Sequence, residues 1–332
     1  MPRRTDIDLT RGFAILLVVF GHLVARADPA HVHWYEPLRR AVYAFHMPLF
    51  LYLSGWVALR SGTVLAPPGT WVLVAGARAR RLLLPFLAMG GLIVLGKLLL
   101  RHVMMVDNPP VGLRAGLADL VWNTAHSPAL SIWYLFVLFV VSLASMVWLN
   151  QRLGRLPWLL GAMLVLYALP LPAYAYADRI GAYAVFFGLG LAAGALGERW
   201  DAFMDRYWPS LLAALACCLV WVALFGAEWP QKYVLLPVGA LSMPAIHGWL
   251  RYYAASWPRM ILLWLGRYSF MIYLFNTLFI GFSKGILVYF WSWNGTNFLP
   301  FACALLASGV LGPVWLKRAV FRRVPVVDRL TD

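Results

Sequence analysis

The sequence has little charge for its length. Only 12% of its 332 residues are Asp, Glu, Lys or Arg, whereas 62% are hydrophobic, and its mean hydropathy is +0.73. Soluble domains carry about 25% charged residues, so this composition excludes a cytosolic enzyme and a disordered protein. The length alone would allow two soluble domains, but the apolar content predicts one integral-membrane domain over residues 1–332.

Acidic residues and cysteines are also scarce. The chain has 13 Asp and Glu against 28 Lys and Arg, which gives a formal net charge of +15. In a soluble protein this excess would indicate nucleic acid, but here the basic residues lie between apolar runs, where they set topology or bind anionic head groups. We therefore expect no nucleic-acid partner. The three cysteines lie in apolar runs without paired spacing, so neither a disulfide framework nor a metal site is predicted.

Long apolar runs make up most of the chain. About 20 apolar residues are needed for a helix to span a bilayer. The sequence therefore predicts an all-α polytopic bundle of about ten transmembrane helices. The ten predicted spans run roughly over 12–25, 41–59, 83–100, 131–149, 157–172, 182–197, 209–226, 233–249, 261–283 and 298–316.

The distribution of basic residues predicts the orientation of these spans. With the N-terminus in the cytoplasm and ten alternating helices, the inside segments hold 18 Lys and Arg and the outside segments hold 8. Cytoplasmic loops carry such an excess, so we expect both termini on the cytoplasmic side.

Ionisable residues inside a span are costly, and each one is a functional hypothesis by default. His22 lies at the end of the first span, eleven residues after Arg11. This is about three helical turns, which places the two side chains on one face, about 16 Å apart along the axis. Asp8 lies one turn before Arg11 and can pair with it. A capped helix start with a satisfied interior histidine is the structural alternative.

Two further groups of polar residues lie on spans two and three. His46 precedes a proline near the outer end of span two, and the pair Ser54–Gly55 permits close helix approach. Arg78 and Arg81 lie one turn apart before span three and can hold a nucleotide phosphate, because guanidinium groups bind phosphate bidentately. A packing seam and an ordinary positive-inside anchor are the respective alternatives.

Several of these segments together resemble the acyltransferase-3 family of integral-membrane acyltransferases. The resemblance rests mainly on DLTRG at Asp8–Gly12 with the following His22, on FHMPLF at Phe45–Phe50, and on the Arg78 and Arg81 pair. Weaker similarity is found at Trp133–Leu135, Leu265–Ser269 and Ile272–Leu274. The family often has His shortly after the last of these segments, where this sequence has Asn276. The departure argues against a catalytic role for that position.

The resemblance implies transfer of an acyl group, usually acetyl from acetyl-CoA, to a sugar hydroxyl of an envelope or extracellular glycan or a lipid-linked saccharide. It implies a multi-pass protein of the bacterial inner membrane, with acyl-CoA as donor substrate and no bound cofactor. Arg11 and His22 match the family's essential pair, and with Asp8 they are the predicted catalytic residues.

The predicted substrate-binding residues lie on both sides of the membrane. Arg78 and Arg81 match the family's arginine pair, and we expect them to bind the donor together with Arg80 and Arg267. His46 and Glu36 face the outer side, where they are predicted to meet acceptor hydroxyls. The six predicted substrate-binding residues, for donor and acceptor together, are Glu36, His46, Arg78, Arg80, Arg81 and Arg267.

The residue types suit this chemistry. An alcohol that attacks a thioester must lose its proton in the transition state, and a neutral imidazole is the usual base. We therefore predict that His22 is the base and that Arg11 orients it or offsets charge on the tetrahedral intermediate. A proton-coupled transporter or flippase is the alternative from another class, because intramembrane His and Arg also suit proton-coupled transport. Succinyl or longer acyl transfer is the alternative within the class.

Overall fold

The computed structural model describes residues 4–24, 31–101, 106, 108–252, 257–324 and 328. Within these ranges the regular structure is helical, apart from one isolated bridge between Asn123 and Tyr174. The α-helices are α1 (Thr5–Gly21), α2 (Tyr35–Tyr43), α3 (His46–Arg60), α4 (Trp71–Arg78), α5 (Leu84–Leu100), α6 (Leu113–Val121), α7 (Trp133–Leu149), α8 (Leu156–Ala168), α9 (Ala177–Leu196), α10 (Glu198–Phe225), α11 (Gln231–Arg251), α12 (Trp257–Leu287) and α13 (Phe298–Ala319).

The predicted all-α polytopic bundle is confirmed. Among the described residues, eight helical segments are long and apolar enough to cross a membrane. The shorter helices α1 and α8, of 17 and 13 residues, occupy the first and fifth predicted spans. Each of the ten predicted spans therefore coincides with a helix. The count of ten crossings and the cytoplasmic placement of both termini remain predictions.

Three short helices lie wholly or mainly outside the predicted spans. α2 precedes α3 and forms one helical segment with it from Tyr35 to Arg60, and α4 likewise precedes α5 in the segment from Pro68 to Leu100. α6 lies in the long connection between α5 and α7. α2 is strongly amphipathic, so hydropathy alone does not identify it.

Glycines allow two pairs of helices to pack with their backbones in contact. A Cβ atom on Gly12 of α1 would collide with the carbonyl oxygen of Leu262, and one on Gly266 of α12 with that of Asp8. A Cβ atom on Gly55 of α3 would likewise collide with the carbonyl oxygen of Phe187 in α9. Small residues permit such close approach between membrane helices, and the predicted packing role of Gly55 is confirmed.

A buried polar network holds the N-terminal end of α1. Asp6 is 8% exposed, and its Oδ2 accepts hydrogen bonds from Nε2 of His247 at 3.1 Å and from Nη1 of Arg251 at 3.3 Å. Nδ1 of His247 lies 3.0 Å from the Tyr52 hydroxyl oxygen, at hydrogen-bond distance, and this oxygen accepts a hydrogen bond from Nε1 of Trp200 at 2.8 Å. The network therefore ties α1 to α3, α10 and α11.

Replacing His247 with alanine should destabilise the fold, because the Asp6 carboxylate and the Tyr52 hydroxyl each lose a partner in a buried site. Asp6 keeps its contacts with Arg4 and Arg251, and Tyr52 keeps its contact with Trp200, so the variant loses hydrogen bonds worth about 0.5–3 kcal/mol each rather than leaving a group unpaired. The expected fall in Tm is about 2–4 °C for each kcal/mol lost. Thermal unfolding in detergent measures this change. His126→Ala is the control, because His126 is exposed, and it should leave Tm unchanged. Equal Tm values for both variants would show that the network contributes no stability.

Candidate active site

His22 lies directly after the last residue of α1, and α2 fixes this end of the helix. The Tyr35 hydroxyl donates a hydrogen bond to the carbonyl of Phe20 at 2.6 Å, and the Tyr43 hydroxyl donates one to the carbonyl of Gly21 at 3.1 Å. The last carbonyls of a helix have no partner within the helix. The two tyrosines supply partners here, so the position of His22 is set by α2 as well as by α1.

Asn276 of α12 binds the His22 side chain directly. The Asn276 amide nitrogen Nδ2 donates hydrogen bonds to the carbonyls of Ile272 and Tyr273, both at 2.9 Å. These two bonds fix the amide, so its oxygen Oδ1 faces Nδ1 of His22 at 2.8 Å. Since Oδ1 can only accept, Nδ1 of His22 carries the proton. In the neutral ring Nε2 is therefore the acceptor, which is the form that a general base requires.

The surroundings of His22 are those of an internal space. His22 is half-buried, and Asn276, which its ring contacts, is fully buried. The imidazole therefore faces α12 and the interior of the bundle.

Arg11 lies near the other end of α1. Its Nη1 is 4.0 Å from Oδ1 of Asp8, so the predicted pairing of these two residues is present at the limit of an ion pair. The Arg11 side chain is 32% exposed and that of Asp8 is 11% exposed. The continuous helix from Thr5 to Gly21 confirms that Arg11 and His22 are carried by one rigid element.

Arg78 ends α4, and the next turn, Ala79–Leu83, is a π-helix before α5 begins. Such single π-helical turns within α-helices are frequent at functional sites. Nε of Arg78 donates a hydrogen bond to the Ser142 hydroxyl of α7 at 3.2 Å. Within the described part of the chain, the buried Nη2 of Arg78 has no hydrogen-bond partner. This cationic group is therefore available to an anionic or carbonyl oxygen of a ligand.

Tyr134 of α7 is the point where the separate sequence segments meet. Arg11, Arg78 and Arg81 all act electrostatically on its hydroxyl. That hydroxyl lies 2.7 Å from the hydroxyl of Ser54 on α3. Three guanidinium groups, from α1, α4 and the π-helical turn, thus lie within electrostatic range of one hydroxyl, and such a concentration of positive charge suits a polyanionic ligand.

The acceptor residues expected from the sequence lie near the His22 end of the bundle. His46 begins α3, its Nδ1 lies 2.9 Å from the Val42 carbonyl, and its ring packs edge-on against Tyr43 with centroids 4.8 Å apart. His22 acts electrostatically on His46. Glu36 accepts a hydrogen bond from Nε of Arg39 at 2.7 Å. Arg80 and Arg267 are exposed, and their role in donor binding remains a prediction.

Sequence reasoning missed three residues of this site. The sequence argued against a catalytic role for Asn276, because the family often has His shortly after this segment. Tyr134 was noted only as part of a segment with weaker similarity to the family, and Ser54 was assigned to helix packing. A polar residue inside an apolar span was the available signal for Asn276. The structure places the Asn276 side chain against the predicted base, so this position contacts the candidate site although the sequence argued against a catalytic role for it.

Comparisons with known proteins identify a family and two relatives. A family model described as an acyltransferase domain matches residues 4–318. The Nodulation protein NolL of Sinorhizobium fredii (strain NBRC 101917 / NGR234) is 26% identical over 303 residues, which cover 82% of this chain and 76% of the relative. The Nodulation protein NolL of Mesorhizobium japonicum is 26% identical over 361 residues, which cover 99% and 90% respectively.

No solved structure matches the chain significantly. The family match extends over nearly the whole chain, and the fold is a helical bundle with membrane-spanning dimensions. The protein therefore belongs to the acyltransferase-3 family and is a multi-pass membrane acyltransferase.

Proposed function

We propose that the protein transfers an acyl group from acyl-CoA to a hydroxyl of an envelope or extracellular glycan across the bacterial inner membrane. Among acyl groups, we propose acetyl first. The observation that carries this proposal is the hydrogen bond between His22 and Asn276 inside the bundle. It holds an imidazole in the tautomer whose Nε2 takes a proton. Two relatives are named nodulation proteins, and an extracellular saccharide acceptor is compatible with such a role.

The proposed reaction is a direct transfer with His22 as base. The acceptor hydroxyl gives its proton to Nε2 of His22 while its oxygen bonds to the thioester carbonyl carbon. The tetrahedral intermediate then collapses, the C–S bond breaks, and the imidazolium returns the proton to the departing thiolate. The products are an ester and free CoA thiol. The Oδ1 atom of Asn276 stabilises the transient imidazolium, because it accepts a hydrogen bond from Nδ1 throughout.

Arg11 is better suited to the donor than to the tetrahedral intermediate. About 16 Å separate it from His22 along α1, and side chains on a helix tilt towards its N-terminus, so Arg11 points away from His22. It lies instead in the group of guanidinium side chains around Tyr134, with Arg78 and Arg81. We therefore assign Arg11 to the nucleotide and phosphate end of the donor, with the pantetheine arm running along α1 to His22. Asp8 pairs with Arg11 and positions it.

Replacing Arg78 with alanine should raise the KM for acetyl-CoA about tenfold or more, because a hydrogen bond to a charged group is lost. The kcat should change less, since Arg78 does not touch the reacting atoms in this assignment. Steady-state transfer rates at varied donor concentration measure the change. The control is Arg114→Ala, because Arg114 is an exposed arginine of α6. An unchanged donor KM in both Arg78→Ala and Arg81→Ala would reduce these residues to topology anchors.

A transporter or flippase is the rival function considered from the sequence. Polar contacts in the structure join α1, α3, α7 and α12, so the distribution of polar groups alone does not distinguish the two classes. Family membership decides for acyl transfer. A succinyl or longer acyl donor is the alternative within the class.

The test of the proposed function uses the purified protein in nanodiscs, radiolabelled acetyl-CoA and a panel of envelope glycans and simple glycosides. We expect transfer of label to a hydroxyl with release of CoA thiol in equal amount. Label transfer from succinyl-CoA but not acetyl-CoA would replace acetyl with the longer acyl group. Absence of transfer from any acyl-CoA would overturn the proposal.

A further inference from the structure

Two pairs of oppositely charged residues lie at the His22 end of the bundle. In the first pair, Arg39 donates to Glu36 at 2.7 Å; in the second, Nε of Arg179 lies 3.4 Å from Oδ2 of Asp178. The four side chains are between 26% and 38% exposed, so they face open space. Both pairs are therefore available to a ligand that approaches from this end.

Three of the four side chains lie near Tyr43, which connects them to the proposed base. The Arg39 guanidinium lies over the Tyr43 ring, 5.7 Å from its centroid, and Glu36 and Arg179 are within electrostatic range of the Tyr43 hydroxyl. That hydroxyl donates a hydrogen bond to the carbonyl of Gly21, the residue before His22. Arg39 is likewise within electrostatic range of His22. A ligand that contacts Arg39 and Arg179 therefore lies at the same end of the bundle as the proposed base.

Arg179 is held in place by aromatic residues. Its guanidinium lies 5.7 Å from the centroid of Trp133, and the Trp133 and Tyr183 rings pack 4.6 Å apart. Trp133 is only 8% exposed, so its ring supports the arginine rather than offering a stacking face. Within the described part of the chain, Oδ1 of Asp178 is a buried oxygen with no hydrogen-bond partner, although the rest of the side chain is partly exposed. This oxygen lacks a donor, which a hydroxyl of a ligand that enters the subsite can supply.

We infer that Glu36, Arg39, Asp178 and Arg179 form the acceptor subsite, and that this subsite selects a neutral saccharide. Each sugar hydroxyl both donates and accepts a hydrogen bond, and each carboxylate–guanidinium pair offers both functions. The two pairs carry no net charge, so they give no advantage to an acceptor bearing a carboxylate or phosphate. The inference rests on the proposed transfer to a glycan and specifies the class of acceptor.

The test compares methyl glycosides of neutral hexoses with the matched methyl uronosides, which differ only by a carboxylate in place of the exocyclic CH₂OH. Radiolabelled acetyl-CoA is the donor, and the full-length protein is used in nanodiscs. The wild type should transfer to the neutral glycosides with at least about tenfold higher kcat/KM, because an unpaired carboxylate is poorly accommodated. Asp178→Asn leaves Arg179 without its counter-charge, and should shift this ratio about tenfold towards the uronosides.

A matched control separates selection from folding. Asp119→Asn changes an aspartate of α6 and should leave both the ratio and the acceptor KM unchanged. In Asp178→Asn the donor KM and the Tm should equal those of the wild type, and only the acceptor selectivity should change. If Asp178 had a merely structural role, the change in selectivity would come with a change in Tm or in donor KM. Equal use of uronosides by the wild type, or an unchanged ratio in Asp178→Asn, would overturn the inference while leaving acyl transfer intact. Binding of acetyl-CoA without transfer to any saccharide would overturn the proposed glycan acceptor itself.

Discussion

His22→Ala lowers the rate of acyl transfer by a factor on the order of 10² to 10⁴, which is the usual contribution of general-base catalysis. The alanine variant cannot take the proton of the acceptor hydroxyl. Among the described residues, His22 is the imidazole that Asn276 holds at this position, and alanine offers no group in its place. The loss should appear in kcat, with little change in the KM for the donor, because our proposal assigns the donor phosphates to Arg11, Arg78 and Arg81. Initial rates of label transfer from acetyl-CoA measure both constants.

The control for this result is His126→Ala, which removes an exposed histidine and should retain the wild-type rate. Membrane insertion and Tm of His22→Ala should also match the wild type, so that the loss is assigned to chemistry. Wild-type turnover in His22→Ala would show that His22 is not the base. The assignment of the donor site would be unaffected, because other variants test it.

Asn276→Leu is expected to have the second largest effect, a fall in kcat of about 100-fold. Leucine has a similar volume but offers no acceptor to Nδ1 of His22, so the imidazole loses both its fixed tautomer and the partner of its charged form. The acceptor and donor KM values should stay within about twofold, because Asn276 touches neither substrate in this assignment. Steady-state rates over both substrates test this division.

Asn276→Asp distinguishes positioning from mere packing. The aspartate retains an oxygen that accepts from Nδ1 of His22, although it loses the donor to the carbonyls of Ile272 and Tyr273. We expect it to recover at least about tenfold of the rate lost in Asn276→Leu, since a hydrogen bond to a charged group is restored. If both variants were equally active, the oxygen would have no part in catalysis.

The fold was largely predictable from the sequence, because a bilayer requires long apolar runs and hydropathy measures them directly. The ends of the helices were less predictable. α10 begins at Glu198 rather than near residue 209, and α12 extends from Trp257 to Leu287 beyond the predicted 261–283. These extensions carry charged and polar residues that are helical although they lie outside the apolar runs, so hydropathy does not detect them. The amphipathic α2 was missed for the same reason.

The site was predictable in part. His22 and Arg11 stand out because ionisable residues are rare in an apolar run, and Arg78 and Arg81 because of their charge. Their partners were not predictable, because they come from distant parts of the chain. Asn276 follows His22 by 254 residues, and His247 follows Asp6 by 241. Periodicity describes one helix at a time, and only the packing of α1 against α11 and α12 brings these side chains together.

The glycine contact between α1 and α12 restricts how the enzyme can open. At Gly12 and Gly266 the two backbones touch, so neither helix can slide past the other without collision with a carbonyl oxygen. We therefore expect the imidazole and its amide partner to keep their relative positions when other helices move. If the donor enters as proposed, we expect the displacement to fall on helices outside this contact, such as α4 with the π-helical turn after it.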